Sequence, residues 1–125
     1  MNEIKNSKRY DLEERTFKFA RGVIDFINIV PKTISNVEII KQVVRSSGSV
    51  GANYIEANEA LSKKDFAMRI KICRKESKES IYWLRLIDIK GEEVERERQI
   101  LTDEATELMK IFGAIVEKIK ENTKP

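Results

Sequence analysis

The chain has 125 residues, a formal net charge of +3, 41% hydrophobic and 36% charged residues, one cysteine and no histidine. This length fits one domain that can bury roughly two-thirds of its unfolded surface. The charged share exceeds the usual ~25%, and with only two prolines and five glycines it fits an all-helical fold with solvated outer faces. A single cysteine excludes an intrachain disulfide. Without histidine an ordinary zinc shell is also out of reach, so no metal and no cofactor is expected. Cys73, between Ile72 and Arg74, reads as a small buried apolar residue, with no histidine base to make it a nucleophile. The opening segment lacks the apolar centre of a signal peptide, and no apolar run approaches the ~20 residues of a membrane span. The expectation is a soluble, cytoplasmic, non-enzymatic protein with no membrane partner.

Residues 1–10 are polar and read as a flexible tail, residues 11–121 as the domain, and residues 122–125 as a second tail. Asp11, with Glu14 three residues on, reads as the N-cap of a first helix over about 12–30. Leu12, Phe19, Val23, Phe26 and Val30 give its apolar stripe, and Pro31 stops it. Gly22 inside it suggests close approach of a neighbouring helix. Ser35-Asn36-Val37-Glu38 has the form of a capping box and opens a second helix, about 36–61. Its stripe is Val37, Ile40, Val44, Val50, Tyr54 and Leu61. Ser62 starts a third helix, about 63–90, and Gly91 ends it. Glu92 and Glu93 suit the positive N-terminal end of a fourth, about 92–121, weakened near Thr102-Asp103. The short turn at Ser62 makes helices two and three antiparallel neighbours, and the whole reads as an all-α, up-down-up-down antiparallel four-helix bundle.

The sharpest feature of helix two is its small, polar middle. Arg45, Ser49, Asn53 and Glu56 recur along one face, while Ser46, Ser47, Gly48, Gly51 and Ala52 narrow the helix. The Gly48–Gly51 pair is no phosphate loop, because it lacks the Gly-Lys-Ser/Thr ending and the preceding strand. If positions equidistant from Ser62 meet, Arg45 faces Glu79, Glu56 faces 68–70 and so Arg69, and Asn53 faces 71–73. A polar network of Arg45, Ser49, Asn53, Glu56 and Glu79 follows. Its plain role is to set helix register or assembly, and its sharper one is contact with a ligand or RNA. Glu56, Glu76 and Glu79 offer paired carboxylates, but without a pocket signal they do not argue for acid–base catalysis.

Helix three carries two apolar stripes where one core needs one. The first is Phe66, Ile70, Cys73, Ser77, Ile81 and Leu84. The second, Met68, Ile72, Trp83 and Leu86, fits either a helix that is simply central in its bundle or an oligomer interface, for which Trp83 and Tyr82 are the candidate anchors. Charge concentrates here: residues 62–90 hold nine basic and four acidic side chains, a local +5, against six and nine, a local −3, in residues 91–125. Lys64, Lys71, Lys75, Lys78, Tyr82 and Arg85 project to one side. Lysines at this spacing can follow phosphates, and a tyrosine among them can stack on an unpaired base. A merely solvated lysine face is the plain alternative.

Three stretches carry a resemblance: Ser49-Val-Gly-Ala-Asn-Tyr-Ile-Glu-Ala57 with Ser62 after it, Lys75-Glu-Ser-Lys-Glu-Ser-Ile-Tyr-Trp-Leu84, and Tyr10-Asp-Leu-Glu-Glu-Arg-Thr16. They resemble the bacterial four-helix bundle proteins of the ribosomal-RNA intervening-sequence family, over roughly Tyr10 to Lys120. The resemblance implies the bundle, assembly into a homo-oligomeric ring of five subunits, and an association with ribosomal RNA. The accessory variability determinant proteins of diversity-generating retroelements are similar in architecture, and no site residue is carried over from them. The expected function is binding of structured RNA, or of DNA, through the basic face of helix three. The rival is a scaffold ring that docks a partner protein.

Overall fold

The computed structural model describes the backbone of residues 2–123 and the side chains of residues 12–122. Four helices follow in order: α1 (Asn2–Ile27), α2 (Ile34–Asn58), α3 (Lys63–Leu86) and α4 (Glu92–Thr123). Among the described residues there is no strand. Each helix contacts the next, α4 returns to α1, and neither diagonal pair touches backbone to backbone. That cyclic order is the up-down-up-down antiparallel bundle.

The helix ends depart from the sequence reading at both ends of α1, at both ends of α2 and at the end of α3. α1 already runs through Asp11, so that residue is not an N-cap, and the helix occupies most of the stretch read as a tail. The side chains of residues 1–11 lie outside the described residues, as does the end of the 122–125 tail. At its other end α1 stops at Ile27, and Asn28, Ile29 and Val30 wind on through tight bonds to carbonyls three residues back. Lys32 Nζ closes this end, 2.5 Å from the Ile27 carbonyl and 2.6 Å from that of Val30.

α2 is capped by Thr33 rather than Ser35: the Thr33 hydroxyl accepts from the Asn36 amide at 3.2 Å. Asn36 then turns inward. Fully buried, it donates to the carbonyls of Pro31 (2.9 Å) and Asp88 (2.8 Å) and accepts from the Asp88 amide (3.0 Å). This clamp and Arg98 explain why α3 ends at Leu86 and not near 90. Arg98 Nη1 reaches the Ile87 carbonyl at 2.6 Å and lies near those of Leu84 and Arg85. Its guanidinium takes over the carbonyls a helix end leaves orphaned. Ser62 does cap α3, accepting from the Asp65 amide at 3.1 Å. Gly91, with φ +102°, makes the left-handed turn into α4. α4 continues unbroken past Thr102, whose hydroxyl bonds back to the Arg98 carbonyl.

The core is built from Phe19, Val23 and Phe26 of α1, Val43, Val50 and Tyr54 of α2, Ile70, Cys73 and Leu84 of α3, and Leu101, Ala105, Leu108, Phe112 and Val116 of α4. Tyr54 and Phe112 meet across the bundle with ring centres 5.7 Å apart. Two glycines permit close passage. A Cβ on Gly51 would sit 3.0 Å from Thr16 Oγ1, and one on Gly22 would sit 3.0 Å from Leu101 Cδ2. The stripe expected for α2 is partly misplaced. Val37 and Val44 are each 37% exposed and Leu61 is 99% exposed, while the buried positions are Val43, Ser46, Ser47, Val50, Tyr54 and Ala57. Serines hold the inner face because the α2 and α3 backbones pass too close for larger side chains.

Candidate nucleic-acid interface

The α2–α3 seam positions everything on the outer side of α3. At its centre Ser46 and Ser80 share a 2.8 Å hydrogen bond, both fully buried, and the Cys73 thiol points to the Val50 carbonyl at 3.4 Å. Burial pushes the Cys73 thiol up to about 12, the positive charge of Arg69 working against that shift. The thiol is therefore neutral packing material.

At the edge of this seam the polar row of α2 resolves into two clusters. Arg45 Nη2 lies 3.1 Å from Glu79 Oε2, and Arg45 Nη1 lies 3.2 Å from Glu76 Oε2. Glu76 is the more deeply set, its side chain 7% exposed. It is a partner the sequence reading did not assign, although it stands one turn from Glu79. One turn further along, Asn53 donates to the hydroxyl and the carbonyl of Ser49, both at 2.9 Å, and accepts from Arg69 at 3.0 Å. Arg69 thus meets Asn53 and not Glu56, which stands exposed on α2.

This pairing shapes the charge of α3. Apart from Asp65 in the first turn, its only carboxylates are Glu76 and Glu79, and Arg45 of α2 holds both. Lys64, Lys71, Lys75, Lys78 and Arg85 are all exposed, and none has an ion-pair partner among the described residues. Together with Tyr82 they form one row on the outer face of α3, about 30 Å long at 1.5 Å per residue. The Tyr82 ring, 59% exposed, is braced edge-on by Trp83 with ring centres 5.0 Å apart.

At the Lys64 end of the row α4 contributes. A hollow of about 320 Å³ is lined by Lys63, Lys64, Ala67, Lys71, Val116, Ile119 and Lys120. Lys63 and Lys120 were missed in the sequence reading. Lys120 is remote in the chain and comes into place only because the end of α4 runs beside the start of α3.

The four interface candidates do not form a uniform stripe. Met68 and Leu86 are 47% and 46% exposed, Ile72 is half-buried, and Trp83 packs against the core. The Trp83 indole N–H is buried with no hydrogen-bond partner among the described residues. Among the described residues no cluster of three or more His, Cys, Asp or Glu could hold a metal ion, and no helix is long and apolar enough to cross a membrane.

A family model described as 23S rRNA-intervening sequence protein matches residues 8–114. Among solved structures, the chain is similar to a crystal structure of a protein from the S23 ribosomal protein family of Bacteroides thetaiotaomicron VPI-5482, itself described as of unknown function. The two share 26% identity with a TM-score of 0.76, over 88% of this chain and 98% of the other. No curated protein matches.

Proposed function

Because the chain belongs to the 23S rRNA-intervening sequence protein family, we propose that it binds structured RNA through the outer face of α3, without a catalytic step of its own. The supporting observation is the charge arrangement. Both mid-helix carboxylates of α3 are drawn onto Arg45, which leaves Lys64, Lys71, Lys75, Lys78 and Arg85 uncompensated on one exposed side. Lysines so placed track phosphates, and the braced, exposed Tyr82 offers a surface for an unpaired base. The family's name supports ribosomal RNA as the first candidate to test, and the cytoplasm is the compartment proposed with it. Assembly into a ring, five-membered in this proposal, would repeat the patch and raise avidity without new contacts. Met68, Ile72, Trp83 and Leu86 are its proposed contact residues.

The test is a titration of a structured ribosomal-RNA fragment at low and moderate salt, with the triple variant Lys71→Glu/Lys75→Glu/Lys78→Glu alongside and masses checked by light scattering. Binding should weaken steeply with salt, and the variant should lose about one unit of log–log salt slope for each phosphate contact removed. Absence of binding by an intact assembly would end this reading for ribosomal RNA. The rival reading is a scaffold ring that docks a partner protein. It is favoured if capture of a partner protein survives the triple charge reversal.

A further inference from the structure

The four seams of the bundle are not equally filled. Between α1 and α4 the helices leave a groove of about 740 Å³. Phe19 and Phe26 of α1 and Val94 and Leu101 of α4 form its floor, where Leu101 packs against the bare backbone of Gly22. Ile29 and Ile100, 53% and 60% exposed, stand on its two banks.

The rim is acidic. Asp25, Glu93, Glu97 and Glu104 line the groove against one cation, Lys18. Glu104 is satisfied by a two-pronged contact from Arg15 at 2.8 Å, and Asp25 has Arg21 at 3.3 Å. Glu93 and Glu97 have no ion-pair partner among the described residues. They stand one turn apart on the same side of α4, where like charges oppose each other and weaken the helix slightly. Two unpaired carboxylates beside an apolar floor fit an occupant that brings both apolar side chains and positive charge.

We propose that the α1–α4 groove docks a cationic amphipathic helix of a partner protein, with apolar residues at i, i+3 or i+4, and i+7 on the floor and Lys or Arg reaching Glu93 and Glu97. The floor follows α1 for about three helical turns, which suits an isolated helical segment better than a whole domain face. The lysine row of α3 faces away from this groove, across the bundle, so the proposal is independent of RNA binding.

The probe is a fluorescent synthetic peptide of roughly 14 residues, about 20 Å as a helix. It carries leucines at those spacings and lysines elsewhere, and its control has glutamate in place of lysine. The full-length protein should bind the cationic peptide and not the anionic one. Glu93→Gln/Glu97→Gln should weaken binding about tenfold, since two charge-assisted contacts are lost. Ile100→Ser should weaken it further, and the remote Glu117→Gln/Glu121→Gln should change nothing. Lys71→Glu/Lys75→Glu/Lys78→Glu should leave peptide binding intact. The proposal is overturned by absence of binding, by equal binding of the anionic peptide, or by groove variants that bind like the parent. It is equally overturned if they lower the assembled mass, because the groove would then be a contact between copies.

Discussion

The seams on opposite sides of the bundle are built on opposite rules. The α2–α3 seam is lined with serines, and side chains cross it at nearly every turn. Asn36 holds Asp88, Arg45 holds Glu76 and Glu79, Ser46 meets Ser80, Cys73 meets Val50, and Arg69 meets Asn53. The α1–α4 seam is lined with phenylalanine, leucine and isoleucine and crossed by the Arg15–Glu104 pair, yet it stands open. Apolar content alone does not close a seam. Small residues let two backbones approach, and directional bonds then fix one register. Large side chains fill a core from within but leave a groove wherever they stop.

The contrast is open to direct attack, beginning with its strongest point. Asn36→Ala removes three hydrogen bonds at a fully buried site and should cost about 3 kcal/mol in urea unfolding. A loss below 1 kcal/mol would mean that water replaces the clamp. Ser80→Leu forces a large side chain between closely packed backbones and should cost about 2 kcal/mol, whereas the single methyl of Gly22→Ala has only the Leu101 side chain to push aside and gains helix propensity in return, so its net cost should be far less.

Cys73 probes the same seam through pH. Its folded-state value of about 12 lies above the ordinary 9.0, so its contribution is full below about 9 and is lost as pH rises toward 12. Within that window the parent should lose up to about 1.4 kcal/mol per pH unit more than Cys73→Ala does. Parallel curves would place the thiol in contact with water.

Arg45→Ala leaves Glu76 buried without its cation. Because Arg45 itself is half-exposed and screened, the cost should be about 1 kcal/mol, and Glu76→Gln in the same background should recover part of it. At the open seam Ile100→Ser should stay within about 0.5 kcal/mol of the parent in stability. A larger loss would show that the groove is less open than its geometry.

The four helices and the Ser62 and Gly91 boundaries are legible in the sequence because each rests on local chemistry: a 3.6-residue stripe, an N-cap hydroxyl, a glycine. The end of α3 is not legible, because Asn36 and Arg98 intercept its carbonyls from distant positions. The start of α2 offers two capping hydroxyls two residues apart, and only the inward turn of Asn36 decides for Thr33. Counting from the Ser62 turn brings Arg45 to Glu79. It cannot tell that the longer reach of Arg69 finds Asn53 before Glu56, nor that Glu76 lies nearer the seam than Glu79. In α2 the apolar spacing points to Val37 and Val44, which are exposed, while Ser46 and Ser47 are buried, because small side chains are what the close approach demands. The lysine row was legible as a face. Its lack of compensation was not, since that depends on where a residue of another helix sends its charge.

The ladder between α2 and α3 also sets an order of events. Most of its bonds join residues 16 to 34 positions apart in the chain, whereas Arg15 reaches Glu104 across 89. Loops that short close at little entropic cost, so the α2–α3 hairpin is the piece that can form first and come apart last. Amide hydrogens in the middle of α2 and α3 should accordingly outlast those of α1 in exchange with solvent. The first opening of this molecule would release α1 and leave the basic helix standing on its partner.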